Sequence, residues 1–312
     1  MRTLIYILCV FAVSPAVAKN GFDLSNSIIP KHEIKAGGPP RDGIVALSNP
    51  KFVQAGDVKL KGDDRVLGVV IGKQAKAYPI RYLNIHEIVN DQIDQQYYAV
   101  TFCPLCGSGV VFATNISSTS DRGALNFGVS GLLYNSDLLM YDRNTQSLWS
   151  QLEGQAVAGK LVGTKLNLIP VLHTTWQDWQ QQHPATQVMA GHPKFNRLYR
   201  RNPYPGYAKS KRLKFSVNHK APNTYHPKEW VLGVTINGES KAYPFVELFS
   251  LPKEMNSIDD QLAGQNIQVQ WDRDSRSAWV VDEQGETIVS TVSFWFAWYT
   301  FNPQTLVYSA AP

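Results

Sequence analysis

The chain repeats itself, and that limits its fold more than any other feature. Val66-Leu67-Gly68-Val69-Val70-Ile71, followed by Lys76-Ala77-Tyr78-Pro79, returns as Val231-Leu232-Gly233-Val234-Thr235-Ile236 and Lys241-Ala242-Tyr243-Pro244. The run from Asp142 to Trp149 returns from Asp272 to Trp279. Trp176, Trp179, Pro184, Thr186 and Val188 return as Trp295, Trp298, Pro303, Thr305 and Val307. Three motifs in one order read as two homologous copies, roughly 61–190 and 228–312. The offset falls from 165 (66 to 231) to 130 (142 to 272), so copy one carries extra residues over most of Gln92 to Leu125. That insertion contains Cys103 and Cys106, and copy two has no cysteine. Chemistry is therefore expected in copy one.

The local pattern is mostly β. Val66–Ile71, Tyr97–Phe102 and Val110–Ala113 read as buried strands, while Leu125, Phe127 and Val129 alternate with polar residues as in a half-exposed strand. Tyr82–Val89 and Thr174–Gln182 read as short helices, the second capped by Thr174 or Thr175. The recurring tryptophan pairs read as core packing. The expected fold is α+β, mostly β: two tandem copies with short helices, the first carrying an inserted cysteine hairpin.

Met1–Ala18 has a basic start, a short apolar run and a small-x-small ending at Ala16-Val17-Ala18, the pattern of a cleaved signal peptide cut after Ala18. Later segments never reach about 18 uninterrupted apolar residues, so no transmembrane segment is expected in the mature chain. A periplasmic or secreted protein is expected. Residues 19–60 form an N-terminal arm, and 191–227 a connector between the copies. Trp179 to Lys228 holds ten Lys or Arg and no Asp or Glu, with Tyr199, Tyr204, Tyr207 and Tyr225 interspersed. This reads as a solvated connector or, through Arg200 and Arg201, as a site for an acidic glycan or envelope protein. A confined basic patch on an exported chain argues against nucleic acid.

Cys103-Pro104-Leu105-Cys106-Gly107 lies between two strand-like runs, as in a zinc knuckle. A thioredoxin-type motif would open a helix, whereas Gly107-Ser108-Gly109-Val110-Val111 reads as turn and strand. A tetrahedral site needs further ligands. His86 and Met140 are the candidates, with Glu87, Asn135, Asp137 and Asp142 lining or tuning the site. Cys, Cys, His and Met would suit Cu(I); a carboxylate or water in place of Met would suit Zn. No G-x-S-x-G elbow, P-loop, Rossmann fingerprint or H-E-x-x-H occurs, which leaves hydrolase and nucleotide chemistry without support.

Asn84-x-His86-Glu87-Ile88-Val89-Asn90-Asp91, the Thr101–Gly107 run and Phe127–Asn135 together resemble an exported bacterial and archaeal family catalogued as a domain of unknown function, DUF3179. The family usually has Trp where this chain has Ile85. The resemblance runs from about Phe22 to the C-terminus; it implies export and a cysteine pair as a family feature, and no reaction. Function rests on the residues, and whether the chain is an enzyme stays open. Three readings follow: a Zn or Cu site at Cys103, Cys106 and His86; a thiol–disulfide oxidoreductase using Cys103 and Cys106; or a non-enzymatic binding or scaffold protein with a structural disulfide.

Overall fold

A computed structural model describes residues 18–116 and 123–310. The segment expected to be a signal peptide, Ala18 apart, lies outside the described residues. Mostly β, the fold has a few short helices: α1 (Ile80–His86), α2 (Trp176–Gln182), α3 (Asn196–Tyr199), α4 (Phe245–Ser250) and α5 (Trp295–Phe301). Beside one two-stranded ribbon, three five-stranded and two four-stranded sheets stand in a propeller-like arrangement. No helix among the described residues is long and apolar enough to cross a membrane.

The first sheet holds the strands Ile88–Ile93, Gln96–Cys103 and Ser108–Ala113, with Leu47–Ser48 and Leu168–Ile169 at its edges. Its neighbour, the second sheet, runs through Phe127–Tyr134, Asp137–Asp142, Leu148–Ser150 and Gln155–Ala158. The third is built on the hairpin Arg65–Ile71 and Gln74–Pro79, and the fourth on Trp230–Ile236 and Glu239–Pro244. These two share a plan: an antiparallel hairpin flanked on one side by an antiparallel strand and on the other by a parallel one. The fifth sheet comprises Ser257–Leu262, Gln265–Asp272, Ser277–Val281 and Thr287–Ile288.

The glycines of the repeated V-L-G-V motif explain the recurring tryptophans. A Cβ on Gly68 would fall 2.1 Å from the Trp179 ring, and one on Gly233 would fall 2.2 Å from the Trp298 ring. Each indole packs flat on a strand that has no side chain there, and each donates its N–H to a threonine, Thr186 or Thr305, at 2.9 Å. Lys76 and Tyr78 bond to Asp91 as Lys241 and Tyr243 bond to Asp260. The lysine is thus neutralised inside each hairpin–sheet contact.

Two local expectations need correction. The first helix stops at His86, not Val89, because Glu87 takes a left-handed conformation (φ 58°) and Ile88 pairs with Thr101 in the first sheet. The strand Phe127–Tyr134 is not half-exposed. Phe127 to Leu133 are all buried, since Phe127, Val129 and Leu133 pack in one apolar cluster and Leu132 in another.

Candidate functional site

Cys103 ends one strand of the first sheet and pairs with Ser108, which starts the next, so Pro104 to Gly107 form the turn. Cys106 N–H donates to Cys103 O at 3.1 Å, and Gly107 turns at φ 63°. The motif opens no helix. Two distant elements hold this hairpin: Phe294 of the fourth sheet donates its N–H to Cys106 O at 2.8 Å, and buried Gln151 bonds to Thr101 and Ser108. Cys103 and Cys106 are 2% and 0% exposed. They approach to 3.3 Å, and no disulfide joins them.

A second turn meets the first. Asn135 and Ser136, both with positive φ, reverse the chain between Tyr134 and Asp137. Ser136 O accepts from Cys106 Sγ at 3.5 Å and from Cys103 Sγ at 3.9 Å. Asp137 follows directly, and a ligand atom from each of Cys103, Cys106 and Asp137 lies within 4.8 Å of the others. Asp137 Oδ2 accepts from Leu152 N–H at 3.1 Å, while Oδ1 is buried without a hydrogen-bond partner.

Burial dominates the electrostatics. It pushes the Asp137 carboxyl up to about 7 and the Glu87 carboxyl up to about 8, the latter helped by the nearby Asp137 charge. It also raises both thiols, Cys106 furthest. Four acidic groups thus share a buried site that favours their protonated forms. A cation bound among them would reverse that preference, because it would favour each ionised form.

A cavity of about 180 Å³ leads to this group, and Cys103 and Glu87 line it while Cys106 does not. Its outer wall comes from the basic connector, through Tyr204, Lys214 and Phe215. This corrects the solvated reading of that segment. Tyr204, buried Tyr207, Leu213, Phe215 and Val217 pack on the apolar cluster that holds both cysteines, while the residues between them stay exposed. Asn218 N–H also donates to Asn135 Oδ1 at 2.9 Å, which ties the connector to the second turn.

The other expected site residues are distributed as follows. His86 is fully buried, but its Nδ1 bonds to Val45 O and its Nε2 to Tyr199 OH, each at 2.6 Å. Both ring nitrogens are therefore engaged outside the cysteine group. Met140 packs in the same apolar cluster as the cysteines. Asp142 serves a turn, accepting from Thr145 Oγ1 at 2.8 Å and Trp149 Nε1 at 2.9 Å. Asp272 plays a like part with Ser275. Arg200 and Arg201 are exposed. Sequence reasoning missed Gln151, Ser136, Tyr204 and Lys214. For the connector a signal existed, since Leu213, Phe215 and Val217 alternate with Lys214 and Ser216, the pattern of a segment packed on one side.

No curated protein and no solved structure matches the chain. The family model described as "Protein of unknown function (DUF3179)" matches residues 41–305, most of the chain, and the protein belongs to that family.

Proposed function

We propose that this is an exported metal-binding protein that holds Zn(II) or Cu(I) between Cys103, Cys106 and Asp137. The observation that carries the reading is the fully buried Asp137 carboxyl, with an oxygen within 4.8 Å of two buried thiols. Two sulfurs and one oxygen are a donor set that zinc accepts, and the cavity at Cys103 leaves room for a fourth, exchangeable ligand. Met140 in the same cluster would favour Cu(I). Asp137 takes the ligand role first expected of His86, whose nitrogens are engaged elsewhere. Export rests on the Met1–Ala18 pattern. The shared plan of the third and fourth sheets and the paired Lys–Tyr–Asp contacts support reading 61–190 and 228–312 as two copies of one unit.

The test is elemental analysis and thiol titration on protein purified without chelator. Wild type and His86→Gln should retain about one equivalent of metal, and Cys103→Ser and Asp137→Ala should lose it. Metal-free wild type that takes up neither ion would sink the reading.

A second reading is favoured by one feature, the access of the cavity to Cys103 alone. In it Cys103 attacks an external disulfide and Cys106 resolves the mixed disulfide, leaving the protein oxidised and the substrate reduced. Asp137 would take the thiol proton. A protein couple below about −300 mV would leave the oxidised protein resistant to reduction by glutathione and so unable to turn over, which would count against a catalytic role.

A further inference from the structure

We propose that the cavity above Cys103 is a binding site for a small aliphatic monocarboxylate, with its tail inside and its carboxylate toward Lys214. This goes beyond the metal reading and does not require it. Ile44, Leu105, Val129, Leu132, Leu133 and Leu138 line the cavity, so the interior offers apolar contact to a hydrocarbon tail. About 180 Å³ compares with the roughly 150 Å³ of a cavity that takes up benzene, which limits the guest to about six to eight non-hydrogen atoms.

The polar groups are few and asymmetric. Lys214 is exposed at the mouth, its ammonium 5.1 Å from the centre of the Tyr204 ring and 6.0 Å from that of Tyr207. The two rings hold the cation beside the opening. Glu87 is the one acidic residue of the lining and Lys214 the one basic residue. One cation suits a single negative charge; a phosphate would bring a second into a mainly apolar chamber. The segment that supplies Lys214 and Tyr204 carries ten Lys and Arg from Trp179 to Lys228 and no acidic residue, a net charge that favours the approach of an anion. That absorbs the charge pattern without needing Arg200 or Arg201.

The experiment is calorimetric titration of the full mature chain at pH 7 with butyrate and, separately, with its uncharged isostere butyramide. Metal content is measured on the same batch. Butyrate should bind about tenfold or more tightly than butyramide. Lys214→Gln, a change at an exposed residue, should abolish that preference while butyramide binding persists. Ile44→Phe and Leu133→Trp, which fill the cavity from two sides, should each remove binding, and near-ultraviolet circular dichroism identifies any variant that has lost its fold. Absence of saturable butyrate binding, or a preference that survives Lys214→Gln, overturns the proposal. Metal present without butyrate binding would remove this inference alone; butyrate binding by protein that takes up no metal would remove the metal reading alone.

Discussion

His173 lies fully buried between Phe102 and Trp230, with neither ring nitrogen hydrogen-bonded. Burial first, and the Arg65 guanidinium second, hold its pKa well below the ordinary 6.5. Above that value the imidazole is neutral in both folded and unfolded chains, so no charge cost arises. Below it the unfolded chain takes up a proton that the folded chain refuses, and stability falls by up to about 1.4 kcal/mol per pH unit for one such group. His86, also lowered chiefly by burial, contributes in the same direction. Urea melts at pH 7.5, 6.5 and 5.5 should therefore show His173→Phe gaining stability relative to wild type as the pH falls; the total slope also carries the buried Glu87 and Asp137 carboxyls, whose raised pKa values act in the opposite direction. An unchanged slope in His173→Phe would assign the effect elsewhere.

At the level of elements, the glycine–tryptophan contacts decide whether a helix can lie on its hairpin. Gly68→Ala would drive a methyl group into the Trp179 ring, and Gly233→Ala would do so at Trp298. Each should cost about 1–3 kcal/mol in denaturant melts, with the intact indole forced off its strand. The two Lys–Asp pairs allow a sharper comparison. Lys76 and Asp91 have side chains 9% and 6% exposed, against 16% and 17% for Lys241 and Asp260. Removing one partner from a buried pair leaves an uncompensated charge, so Asp91→Ala should cost about 3–5 kcal/mol. Asp260→Ala should cost less, because water reaches the stranded lysine. Equal losses in parallel melts would show that burial does not set the difference.

Across the whole molecule, the cysteine site is assembled from both ends of the chain. Phe294, Phe296 and Ala297 belong to the same apolar cluster as Cys103 and Cys106, and a Cβ on Gly107 would come within 3.1 Å of the Phe294 ring. A fragment of residues 19–227 would leave that face of the cluster open to water. Its thiols should react with an aromatic disulfide reagent at least about tenfold faster than those of the metal-free full chain, because their protection depends on local opening. Equal protection in the fragment would show that residues 19–227 close the site by themselves.

The sequence alone determined what depends on neighbours along the chain. The knuckle turn follows from Cys103-Pro104-Leu105-Cys106-Gly107, the Asp142 turn from residues within three positions of it, and the strands from apolar runs whose period survives any packing. Tertiary structure decided what depends on proximity without sequence nearness. Asp137 reached the thiols because a two-residue turn at Asn135-Ser136 swung it there, and His86 was bound instead by Val45 and Tyr199, 41 and 113 residues away. Chain spacing carries no record of which buried hydrogen-bond partner an imidazole will meet. The connector shows the same division: its charge was plain in the composition, but Tyr204 and Phe215 became part of the cavity wall only when a complementary apolar surface stood opposite them.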